Sequence, residues 1–138
     1  MLKLKVYFIF LLSLSFLGCR KDKSGKGGLA MISGYVEFSG NFRGVYVSNA
    51  KIYSNATVYL KYGATSFPGA DITQYDTSGA VDAHGNYGFG SMFEGNYYLY
   101  AVGNYIDPQN YSYPVTGGIQ VNINNRKANL NYDIAVTQ

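Results

Sequence analysis

An all-β sandwich is the fold class that the sequence predicts. Three observations carry that expectation. Apolar residues recur with a period of two from about residue 30 onward, clusters of Gly, Asn, Asp and Pro interrupt them at short intervals, and no stretch carries a helical stripe. Composition agrees: fifteen tyrosines and eight phenylalanines, with no tryptophan, leave a core that must be aromatic and β-branched, the residue types that suit a pleated sheet.

The first strand is expected over residues 30–39, with Ile32, Gly34, Val36 and Phe38 on one face and Met31, Ser33, Tyr35 and Glu37 on the other. Residues 40–55 hold an extra strand around 45–53. The next strong strand, residues 56–62, turns Val58 and Leu60 inward and Tyr59 and Lys61 outward. Residues 66–77 contain Phe67-Pro68-Gly69 and read as a loop with a short strand near 72–75. Asp82-Ala83-His84-Gly85-Asn86 is a turn, because Gly85 and Asn86 tolerate positive φ, and Tyr87 and Phe89 then alternate into a strand. Over residues 96–104, Tyr97, Leu99 and Ala101 share one side, and Tyr98, Tyr100 and Val102 the other. A loop carrying Asp107-Pro108 and Tyr113-Pro114 follows. The last pair, residues 118–123 and 128–136, is expected to form a hairpin through Asn124-Asn125-Arg126.

Ahead of these strands stands a segment of another kind. Lys3 and Lys5 precede an apolar run from Val6 to Leu12 that continues through Leu14, Phe16 and Leu17 to Gly18-Cys19. That is a basic region, a short apolar region and a small residue at a cut site, and it is shorter than the ~20 apolar residues a bilayer span needs. The end, Phe16-Leu17-Gly18-Cys19, resembles the bacterial lipoprotein lipobox, although Phe16 and Leu17 depart from its usual leucine and small residue. The resemblance implies lipid on the Cys19 sulfur and cleavage in front of it; the alternative is a plain signal peptide that ends on a cysteine. Two or more acyl chains anchor stably where one gives marginal binding. Arg20 to Gly28, R-K-D-K-S-G-K-G-G, then reads as a flexible tether, since it has no apolar residue to bury. The expected organisation is a signal peptide over 1–18, a lipidated cysteine and tether over 19–28, and one domain over 29–138.

The formal charge of +3 comes largely from the signal and tether. Residues 29–138 carry five basic and seven acidic side chains, a balance of −2, which excludes a basic surface for nucleic acid. With Cys19 the only cysteine, the domain has no disulfide and must rely on its core.

The order of motifs supplies a second resemblance. Ile32-Ser33-Gly34-Tyr35-Val36, then Ala56-Thr57-Val58-Tyr59-Leu60, then Asp82, Gly85, Tyr87 and Phe89 followed by Gly95, Tyr97 and Leu99, are similar to the carboxypeptidase regulatory-like domain. That family implies a seven-strand, Ig-like or transthyretin-like β-sandwich of the kind common in surface proteins of Bacteroidota. Val81 stands where the family often has threonine, and residues 40–55 and 62–77 are longer than its usual connections. Those two segments are where features peculiar to this chain are expected.

No catalytic constellation emerges. His84 is the only histidine and lies in a turn, no nucleophile elbow occurs, and the carboxylates are scattered. Asp71, Asp76, Asp82 and Asp107 lie in loops but without the spacing of a calcium site, so turn capping is the expected role and no metal or cofactor is expected. An internal isopeptide bond from Lys51 or Lys61 to an asparagine is not expected either.

Functional interest falls on Tyr35, Tyr59, Tyr98 and Tyr100, on faces expected to meet solvent. The resemblance puts the strands of Tyr59, Tyr98 and Tyr100 in one sheet, where outward rings can form a flat surface for a sugar or a protein. The competing account is cross-strand pairing alone. The function expected from these readings is a non-catalytic, lipid-anchored envelope protein at the outer membrane, on its surface or periplasmic face, acting as a binding or spacer module. The alternative is a carbohydrate-binding accessory lipoprotein of a glycan-uptake system. Its partners are the membrane, through Cys19, and an envelope protein or glycan.

Overall fold

The computed structural model describes residues 23–52 and 56–138. The lipidation expected at Cys19 therefore lies outside the described residues. Two β-sheets pack as a sandwich, as expected, built among the described residues from nine strands in place of seven: β1 Lys26–Phe42, β2 Val45–Lys51, β3 Ala56–Tyr62, β4 Thr77–Ala80, β5 Asn86–Met92, β6 Gly95–Ile106, β7 Ser112–Ile123, β8 Asn129–Asn131 and β9 Ile134–Val136. In the first sheet β1 pairs antiparallel with β5 and β2 and parallel with β8 and β9. The second runs β4-β3-β6-β7, antiparallel throughout. Among the described residues no helix is long and apolar enough to cross a membrane.

The alternation read from sequence sets the core. Ile32, Val36 and Phe38 of β1 face Val58 and Leu60 of β3 and Tyr97, Leu99 and Ala101 of β6 across the interior, and all eight are buried. Each fully buried aliphatic or aromatic side chain contributes roughly 1.5–3 kcal/mol. Tyr87 is buried with its hydroxyl donating to the Tyr132 carbonyl, and burial, then the Asp133 charge, pushes its phenol pKa up.

Four sequence expectations are corrected. β1 starts at Lys26, so part of the expected tether belongs to the sheet. Gly28 is the reason: a Cβ there would lie 2.0 Å from the Met92 carbonyl oxygen, so those glycines permit close strand approach. Residues 72–75 form no strand; Ile72–Gln74 is a single 3-10 turn, and the strand is β4, further on. β7 starts at Ser112 and takes in Pro114, tolerated because β7 is the last strand of its sheet. Finally, residues 118–123 and 128–136 form no hairpin. The turn at 124–127 crosses between sheets, and β8 and β9 then run parallel to β1, separated where Asp133 Oδ1 accepts the Tyr35 N–H at 2.9 Å.

The expected strand around 45–53 is β2. Its hairpin with β1 turns through Arg43 and Gly44, both at positive φ (47° and 81°), as a two-residue connection demands. At that end Phe42 packs edge-on against Tyr105 and Tyr113, while the Arg43 guanidinium lies 4.8 Å from the Tyr111 ring centre.

Candidate functional site

The alternation that buries Tyr97 and Leu99 turns Tyr98 and Tyr100 to the outer face of the second sheet. Register places Tyr59 opposite Tyr100 and Lys61 opposite Tyr98. These three tyrosines share one face, as expected. Tyr35 does not join them, because β1 belongs to the other sheet.

The connection from β3 to β4 changes what this face presents. Residues 63–76 fold back across it. Gly63 and Gly69, at φ 72° and 115°, reverse the chain, and Asp71 caps the 3-10 turn by accepting from Thr73 N and Oγ1 at 3.0 and 2.6 Å. Asp76 pins the far end: its Oδ2 accepts the Tyr62 N–H at 2.7 Å and its Oδ1 lies 3.3 Å from Lys61 Nζ. Lys61 is thus an ion-pair partner on the surface.

This segment delivers two rings that alternation did not point to. Tyr75 stacks on Tyr100 with centroids 5.7 Å apart and lies 6.0 Å from Tyr59, and its hydroxyl donates to the Gly69 carbonyl at 2.8 Å. Phe67 sits 5.6 Å from Tyr98 and 5.2 Å from Tyr100. The result corrects the flat platform: Tyr100 is only 7% exposed beneath the loop, whereas Phe67 is 50% exposed. Burial, followed by the neighbouring Tyr100 and Tyr98 phenols, pushes the Tyr75 pKa up to about 12, and burial with the Tyr100 neighbour raises that of Tyr98. Both phenols are neutral at physiological pH.

Between the loop and β7 lies an open cleft of about 390 Å³, lined by Phe67, Ala70, Tyr98, Tyr100, Thr116, Gly117 and Gly118. Gly118 is its floor. A Cβ there would stand 2.6 Å from Tyr98 Cε1 and 3.0 Å from its hydroxyl, so the glycine is what lets the Tyr98 ring lie over β7. The lining holds no carboxylate and no cation. It offers aromatic faces, hydroxyls and backbone amides, which suits an uncharged polyhydroxylated ligand better than an ionic one.

The loop carboxylates serve turns, and of these the buried Asp107 Oδ2 alone is without a hydrogen-bond partner among the described residues. Asp71, Asp76, Asp82 and Asp107 each accept at least one backbone N–H, from Thr73, Tyr62, His84 and Gln109 among others. Asn86 holds the Asp82 carboxyl below the usual carboxylate range. Among the described residues no group of three or more His, Cys, Asp or Glu is placed to hold a metal ion.

No family model and no curated protein matches the chain. A solved structure shares its fold. A "putative carbohydrate binding protein" from Pseudomonas aeruginosa superposes with a TM-score of 0.53 at 13% identity, over 83% of this chain and 92% of that one. A 9R-lipoxygenase from Cyanothece aligns with 98% of this chain but 22% of its own, at 14% identity and a TM-score of 0.40, too slight a likeness to bear on function. At 13% identity the likeness to the Pseudomonas protein is one of fold alone.

Proposed function

We propose that the chain is a non-catalytic, lipid-anchored protein of the cell envelope, held through Cys19 at the outer membrane of a Bacteroidota-like organism, whose carboxypeptidase regulatory-like sandwich binds a neutral glycan. One observation carries the binding assignment: residues 63–76 leave Phe67 half exposed beside Tyr98 above a glycine floor. Sugar rings present C–H faces to aromatic rings and hydroxyls to amides and phenols, and the cleft lining offers both kinds of contact without a charge to desolvate. The neighbour of shared fold described as carbohydrate binding supports testing glycans first.

The expected result is retention of the protein by one or more immobilised neutral polysaccharides among glucans, xylans and mannans. Phe67→Ala with Tyr98→Ala should weaken that retention at least tenfold, ~1.4 kcal/mol, as losing a pair of central aromatic contacts does. Equal retention of the double variant, or none of the wild type by any member of the panel, sinks the glycan assignment. Anchoring is tested apart from it: Cys19→Ser is expected to abolish incorporation of labelled palmitate, and label that persists overturns the lipid assignment.

A further inference from the structure

We infer that the end of the sandwich from which the chain emerges is a contact surface for an anionic phospholipid bilayer. The observations concern where the charges sit. β6 starts at Gly95 opposite Ile123, the last residue of β7, so the turn at 124–127 lies beside the start of β6. Gly63 N donates to the Asn96 carbonyl at 2.8 Å, and Phe93 N donates to the Gly25 carbonyl at 2.9 Å. Lys23, Ser24, Tyr62, Gly63, Glu94 and Asn96 line one open notch there, of about 480 Å³.

Among the described residues this end carries exposed Lys23, Lys26, Arg126 and Lys127, with Lys61 beside Tyr62, against two carboxylates, Glu94 and the Asp76 that pairs with Lys61. Elsewhere the fold has the reverse balance: Arg43 and Lys51 against Glu37, Asp71, Asp82, Asp107 and Asp133. The domain is therefore polarised, positive at its tethered end and negative over the rest. Two exposed apolar side chains stand beside the cations, Leu29 at 62% and Met31 at 46%, and Met31 N donates to the carbonyl of Ala128, the residue after Lys127. Cations flanking a small apolar rim fit headgroups and the acyl boundary beneath them.

Chain length brings this surface to the bilayer. Five residues separate Cys19 from Gly25, where the fold holds the chain, and the six steps between the two, at no more than ~3.6 Å each, span at most about 22 Å. This step rests on the lipid assignment at Cys19; the charge polarity does not. Leashed so closely, the cations lie within reach of an anionic surface potential that decays over a Debye length of ~8 Å. The aromatic cleft, on the outer face of the second sheet, then faces sideways and stays clear of the bilayer.

The test uses the chain from residue 19 onward carrying Cys19→Ser, which contains every residue of the fold, so that vesicle binding is read without lipid. Sedimentation with phosphatidylglycerol-rich vesicles is expected at low salt, with little on pure phosphatidylcholine, and it should fall as salt rises. Arg126→Ala and Lys127→Ala should each weaken it about fivefold. Arg43→Ala, at the opposite end of the sandwich beside Tyr111, should not, and circular dichroism will show that all three variants fold. Equal binding to neutral vesicles, or unchanged binding of the Arg126/Lys127 double variant, overturns the inference. A failed palmitate label beside intact sedimentation removes the lipid assignment and leaves this surface standing.

Discussion

Gly34→Ala is expected to lower the stability of the domain by about 3–5 kcal/mol. Gly34 lies on β1 between Ile32 and Val36, and a Cβ built on it would stand 1.9 Å from the Tyr132 carbonyl oxygen and 2.5 Å from its carbon. Neither atom is the tip of a flexible side chain, so the backbone between β8 and β9 must move. That movement threatens two hydrogen bonds that fasten the last strands to β1: Tyr132 N to the Ser33 carbonyl at 2.8 Å, and Tyr35 N to Asp133 Oδ1 at 2.9 Å. Overpacking alone costs about 1–3 kcal/mol, and each strained bond about 1 more. Against a typical total of ~5–15 kcal/mol the loss is severe, and the melting temperature should drop by about 12 °C or more. Gly90→Ala is the control, since a Cβ at Gly90 meets nothing within 4 Å. A Gly34→Ala protein that melts with Gly90→Ala would show that the crossing is not tight.

That glycine also marks how far the sequence could be read. Its place in the Ile32-Ser33-Gly34-Tyr35-Val36 motif is visible in the chain; what it touches, a strand break a hundred residues away, is not. Alternation is a local property, and it correctly assigned inner and outer faces to β1, β3 and β6. Pairing across the sandwich is not local, which is why residues 128–136 read as a hairpin partner of β7 when they run parallel to β1. The same limit applies to the cleft. Tyr98 and Tyr100 were legible as outward residues, but Phe67 and Tyr75 depend on where a fourteen-residue connection lands. The length of that connection was the one available signal. Composition misled at the start of the fold, where K-S-G-K-G-G has the makeup of a linker although its glycines serve close packing against Met92 and Phe93.

The second large effect is expected at Tyr97, and two variants separate its roles. The ring is fully buried and meets Tyr62 edge-on at 5.9 Å. Its hydroxyl accepts the Gly25 N–H at 2.8 Å and donates to the Phe93 carbonyl at 2.7 Å, while Phe93 N returns a bond to the Gly25 carbonyl. Burial raises the pKa of this phenol, so at physiological pH it remains a donor. Tyr97→Ala removes ring and clamp together and should cost about 3–5 kcal/mol, in the range of large aromatic truncations. Tyr97→Phe keeps the packing but leaves the Gly25 N–H and the Phe93 carbonyl without their partner, a cost of about 1–3 kcal/mol. The two losses should differ in place as well as size. Hydrogen exchange in Tyr97→Phe should quicken at residues 23–28 and stay slow in β3 and β6, because the hydroxyl holds the entering chain while the ring holds the core. In an anchored protein that loosening lengthens the leash by several residues and weakens the orientation of the basic end on anionic vesicles. If Tyr97→Phe instead exchanges faster throughout the sandwich, the hydroxyl is a structural member of the core and the clamp has no separate existence.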